Sequence, residues 1–146
     1  MLMAAGMTLS ALPALAQDLV AKLSPHDVAT TMDRLESAVE EAGATVFARV
    51  DHAAGAESVE MELRPTQLLI FGNPKLGTPA MQDAQTAGLD LPMRVLVYAD
   101  GEGVVHVTYT APETLAMAHG LPEEAEYLTK MTEALDNLTA KAVAEE

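Results

Sequence analysis

Apolar residues recur along this chain with two periods. After Val28 they fall at Met32, Leu35, Val39 and Ala42, steps of three and four that draw one stripe along a helix. Ser24-Pro25-His26-Asp27 precedes the stripe. Ser24 caps, Pro25 suits the first helical position, and Asp27 closes the box while facing the positive helix end. Gly43 ends the helix as a left-handed cap. Residues 122–143 repeat the pattern at Leu128, Met131, Leu135, Leu138 and Ala142, an acidic amphipathic helix whose seam fits a sheet face.

Elsewhere the period is two or the run is solidly apolar. Residues 18–23 read as a first strand, and 45–50 as a second with Val46, Ala48 and Val50 on one face. Residues 58–63 alternate, with Val59, Met61 and Leu63 facing in and Ser58, Glu60 and Glu62 out, which predicts a half-buried antiparallel strand. Residues 67–71 are continuously apolar, as in a central strand. Residues 93–98 and 104–109 pair as a hairpin across Asp100-Gly101-Glu102-Gly103.

The connections are also legible. Asp51 to Gly55 is a loop or one helical turn. Residues 72–79 are a loop rich in Gly and Pro, with a short helix from Thr78-Pro79 to Ala84; residues 86–92 are irregular. Thr110 and Glu113 form a second capping box, and that helix stops at Gly120. Strands followed by segregated helices predict an α+β, two-layer architecture with an antiparallel sheet and helices on one face.

Composition narrows the function classes. Net charge is −14 from 22 acidic and 8 basic residues, and the basic residues are scattered singly. Such a chain repels phosphate backbones and anionic lipid, so neither nucleic acid nor, in the mature form, a membrane is an expected partner. With no Cys, disulfides, thiolate nucleophiles and iron–sulfur clusters are excluded. Haem or copper held by His and Met stays open on composition, but most of the nine Met fall in the apolar N-terminal run or on core faces. No cofactor and no metal site is expected.

Residues 1–16 are apolar and end in Ala14-Leu15-Ala16 before Gln17, a signal-peptidase pattern. Cleavage near Ala16-Gln17 would place the mature chain in a bacterial periplasm or outside the cell. The expected organisation is a leader over 1–16, one domain over 17–121, and the C-terminal helix, 122–146, packed on that same domain.

Four blocks carry a resemblance. Val46 to Ala56 (VFARVDHAAGA), Leu63 to Pro79 (LRPTQLLIFGNPKLGTP), Gly88-Leu89-Asp90-Leu91-Pro92 and His119-Gly120-Leu121 resemble, in order and spacing, the signature blocks of domain-of-unknown-function family 302. The resemblance implies a TATA-box-binding-protein-like fold, a curved antiparallel sheet gripped by helices, and a homodimer. It implies no activity. One departure is Tyr109-Thr110-Ala111-Pro112, where the family tends to have Tyr-Asn-Asp-Pro; Ala111 supplies no carboxylate.

The candidate site residues are Asp51, His52, Asn73, Lys75 and Asp90. Asp51-His52 sits where a strand ends; His52 is an acid, a base or a ligand, or Asp51 is simply a turn cap. Asn73 and Lys75 follow a central strand, where an amide and an ammonium can hold an anionic group. Asp90 lies between Leu89 and Leu91 and needs a partner, with Lys75, His52 or backbone N–H groups the expected choices. His119, before Gly120, reads as a helix-end cap.

These readings favour a non-enzymatic module that binds a small ligand or a partner in a groove rimmed by the five residues. The alternatives are an enzyme using His52 and Asp90 in acid–base chemistry on an anionic small molecule, and a homodimeric scaffold without a ligand site.

Overall fold

A computed structural model describes residues 18–146. The leader expected over 1–16 lies outside the described residues. Five strands, β1 (Leu19–Ser24), β2 (Thr45–Asp51), β3 (Thr66–Gly72), β4 (Met93–Ala99) and β5 (Val105–Thr110), form one antiparallel sheet in the order β1-β5-β4-β3-β2. Five helices accompany it: α1 (Val28–Glu41), α2 (His52–Glu57), α3 (Pro74–Asp83), α4 (Pro112–His119) and α5 (Glu126–Val143). A 3-10 turn, Gln85–Leu89, joins α3 to β4. The α+β expectation is met.

The two long stripes do what their spacing requires. Met32, Leu35 and Val39 of α1 and Leu135 and Leu138 of α5 bury against Leu69, Phe71, Val95, Val97 and Val107 on one face of the sheet. Each such side chain removed from water contributes roughly 1.5–3 kcal/mol. A second cluster gathers at one end of the sheet, where Ala80, Ala87, Leu115, Leu128 and Met131 pack together from α3, the 3-10 turn, α4 and α5.

Several local expectations are corrected. Asp27, not Ser24, caps α1, its carboxylate accepting the N–H of Thr30 at 2.7 Å; Ser24 belongs to β1 and its hydroxyl meets Thr31. Residues 58–63 form no strand, and Val59, Met61 and Leu63 are exposed. The chain leaves α2 through Ser58 and turns at Glu60 (φ 60°), while β3 already has β2 and β4 on its two sides. The loop expected over 72–79 is the start of α3: Asn73 caps it, Pro74 takes its first position, and buried Ala80 anchors it despite Pro79. Finally, Ala111 stands at the cap of α4 without a side-chain bond, because Thr110 is committed one residue earlier to the β5–β1 ladder.

β2 carries a bulge between Val46 and Ala48. Val46 opposite Phe71 faces the helices, whereas Ala48 opposite Ile70 and Val50 opposite Leu68 face away. The expectation that all three share a face fails at the bulge. Phe47 is the extra residue, re-aimed as bulges do.

Candidate functional site

The register separates the predicted site residues into two groups. Asp51 pairs with Gln67 at the start of β3, while Thr45 pairs with Gly72 at its end. Asp51 and His52 therefore lie a whole strand length, roughly 15–20 Å, from Asn73 and Lys75. Asp51 caps α2, accepting the N–H of Ala54 at 2.9 Å, and His52 is the exposed first residue of that helix. The shared groove expected for all five residues is corrected, and with it an acid–base pair between His52 and Asp90.

Asn73, Lys75 and Asp90 lie at the other end. The Asn73 Oδ1 accepts the backbone N–H of Lys75 at 3.0 Å; Lys75 itself is exposed in the first turn of α3. Asp90 takes its partners from elsewhere than Lys75 or His52. Its Oδ2 lies 2.6 Å from His119 Nε2, and its Oδ1 accepts from Arg94 Nη2 at 3.3 Å. A carboxylate only accepts, so Nε2 donates; in the neutral ring Nδ1 then accepts the Thr86 hydroxyl at 3.0 Å. The His119 side chain is 8% exposed. Both ring nitrogens are engaged, so this cluster clamps α4 to the 3-10 turn and β4. His119, Arg94 and Thr86 were not among the sequence candidates; the visible signal was His119 before Gly120, which reads locally as a cap alone.

Beside the clamp lie two hollows. The first, a cavity of about 170 Å³, opens between the bulge, α3 and α5 and is lined by Phe47, Leu76, Met81, Leu91, Met93 and Met131. Gly72 and Gly77 complete its wall: a Cβ on Gly72 would sit 3.2 Å from Pro92 Cβ, so glycine there lets β3 approach Pro92. Its polar wall groups are Asn73 and Thr78, and among the described residues no titratable side chain lines it. The second hollow, about 160 Å³, shares Leu91, Met93 and Met131 and opens toward Asp90, Arg94, Thr110 and Thr114. Among the described residues no three of His, Asp and Glu are grouped to hold a metal ion. The cavity wall is therefore mostly apolar, with the Asn73 amide and the Thr78 hydroxyl as its polar groups.

A family model described as "Domain of unknown function DUF302" matches residues 20–138. The chain belongs to this family. A crystal structure of an uncharacterized conserved DUF302 protein from Bacillus stearothermophilus superposes with a TM-score of 0.76, at 17% identity, over 87% of this chain and 99% of that one, and so shares the fold. Curated relatives of the family domain carry a different description. A protein of Brucella suis biovar 1 named fluoride-specific ion channel FluC 1 is 48% identical over 103 residues, 70% of this chain but 41% of the relative. The FluC 1 of Brucella abortus biovar 1 matches at the same identity over 38% of its length. The chain thus spans about two fifths of the curated relatives it matches. Among the described residues no helix is long and apolar enough to cross a membrane.

Proposed function

We propose that this DUF302 domain is a non-enzymatic binding module that takes a small ligand in the cavity between the β2 bulge, α3 and α5. The observation that carries the reading is the cavity itself: about 170 Å³ of apolar space at the junction of several elements, with two polar groups and no titratable one on its wall. The module acts in the periplasm or outside the cell, on the strength of Ala14-Leu15-Ala16 before Gln17. Native mass spectrometry of protein purified from its host tests both points. A bound small molecule and an N-terminus at Gln17 are expected; ligand-free protein that also binds nothing from a small-molecule library would overturn the ligand reading.

The module works as a homodimer through the sheet face that α1 and α5 leave open. Leu19, Leu23, Leu68, Ile70 and Leu96 stand on that face, Leu19 and Leu23 more than half exposed. Five strands at ~4.8 Å spacing give on the order of 500 Å² of projected face, and side-chain relief brings this toward the ~800 Å² per partner of a standard interface. A second copy is the fitting occupant because the face is nearly uncharged, whereas the rest of the chain is acidic. Light scattering after size-exclusion chromatography should give a dimer that Ile70→Lys converts to monomer; a monomeric parent chain would end the proposal.

The curated relatives favour a second reading, in which the domain serves a fluoride channel. In them a piece 48% identical to this chain is joined in one polypeptide to a longer remainder. Deleting the gene in its host should then raise sensitivity to fluoride. Unchanged growth across a fluoride series would remove this reading and leave the binding module intact.

A further inference from the structure

We infer that the occupant of the cavity is a single aromatic ring bearing one uncharged hydroxyl or carbonyl oxygen, with the ring among Met81, Met93 and Met131 and the oxygen at the rim beside Asn73 and Thr78. This rests on the binding-module reading and adds the ligand's chemical class. Size is the first argument. A dry apolar cavity of ~150 Å³ takes up benzene, and this one is about 170 Å³. Its volume matches one ring and a substituent.

The wall is the second argument. Three thioethers, from Met81, Met93 and Met131, converge on the same space as the ring of Phe47. Polarisable sulfur at a ring edge and an edge-to-face or offset phenyl both favour an aromatic guest over an alkyl chain. Phe47 is 57% exposed on its bulge, so a guest would cover apolar surface that water now reaches.

Charge and hydrogen bonding supply the third. No titratable group lines the cavity, and a chain of net charge −14 repels anions at long range, so a carboxylate guest has no cation on the wall to pair with. Asn73 has committed Oδ1 to the backbone of Lys75, which leaves its Nδ2 amide protons as donors at the rim. Thr78 adds an exposed hydroxyl on the same rim.

The test is a titration followed through ¹³C-methyl methionine NMR signals, with phenol, benzene, benzoate and 1-hexanol as probes. Phenol should move the methyls of Met81, Met93 and Met131 by ring current and leave Met32, in the sheet core, and exposed Met117 in place. Benzoate should bind about tenfold more weakly. Gly77→Leu, which projects into the cavity, should weaken phenol about tenfold or more, while Gly77→Ala, whose Cβ would meet Met81 at 3.8 Å and Leu91 at 3.9 Å, should retain it. Thr78→Val, at the exposed rim, should narrow the preference for phenol over benzene and serves if Gly77→Leu does not fold. If 1-hexanol shifts the three methyls and neither ring compound does, the ring assignment fails and the binding module stands. If no probe and no library compound moves them, both fall.

Discussion

His119 and Asp90, 29 positions apart, meet at 2.6 Å and tie the last turn of α4 to the 3-10 turn beside the two hollows. Arg94 holds the other oxygen of the same carboxylate. Two of the three residues shared by the hollows, Leu91 and Met93, lie between Asp90 and Arg94 in sequence.

Asp90→Ala should therefore lower stability by roughly 1–3 kcal/mol, because it leaves a nearly buried imidazole without its acceptor. Asp90→Asn, which retains an acceptor oxygen, should cost less. Urea unfolding of the three proteins decides this, and an Asp90→Ala midpoint equal to the parent's would show that the clamp carries no energy.

Gly77→Ala should raise stability by roughly 0.5–1 kcal/mol. Gly77 lies inside α3 with an ordinary helical backbone, and an added Cβ meets only side-chain atoms at contact distance. Thermal unfolding should show the gain in the ligand-free protein; a loss would mean that the cavity wall is less accommodating than its spacing implies.

Two carboxyls make the fold acid-sensitive. The backbone N–H of Thr30 holds Asp27 below the usual carboxylate range, and the His106 ring, with help from the Glu102 N–H, does so for Asp100. Unfolded, both take up protons near pH ~4; folded, they do so only at lower pH. Their stabilising contribution is full above that range and fades as pH falls through it. Asp27→Asn and Asp100→Asn should each flatten the acid limb of a stability-versus-pH curve.

Tyr127 sets an alkaline counterpart. Burial, followed by the hydrogen bond its hydroxyl donates to Asp83 at 2.8 Å, pushes its pKa up to about 12. An unfolded tyrosine ionises near ~10. The contribution is therefore complete below that value and is lost as pH rises through about 12. Tyr127→Phe should remove this slope, and ultraviolet titration should show one tyrosine fewer in the late-ionising fraction. A parent chain whose tyrosines all ionise near their free value would contradict the packing described.

The elements that the chain's periodicity made legible are those whose signal is local. α1, α5 and the β4–β5 hairpin stand where their apolar spacing put them. Residues 58–63 mislead because alternation specifies a strand only where a neighbour is free to pair, and β3 has none to offer. The first half of α3 was hidden for the opposite reason: Gly77 argues against a helix ahead of the short one expected over 78–84, and Ala80, buried in the second core, anchors the whole of it. Of the candidate residues, Asn73 and Asp90 do reach the cleft region, while His52 was misplaced, since nothing near it in the chain records which end of a strand it occupies.

By itself, then, the amino-acid sequence determined the fold class, the two helices that cover the sheet, and the family, because each depends on spacings within about ten residues or on ordered blocks. Only the tertiary structure decided the site. Strand order and a bulge in β2 brought Phe47, Met81, Met93 and Met131 around one space and set His119 on Asp90. Side chains that far apart in sequence meet through the register of an antiparallel sheet, and register is a property of paired strands, which no single segment carries.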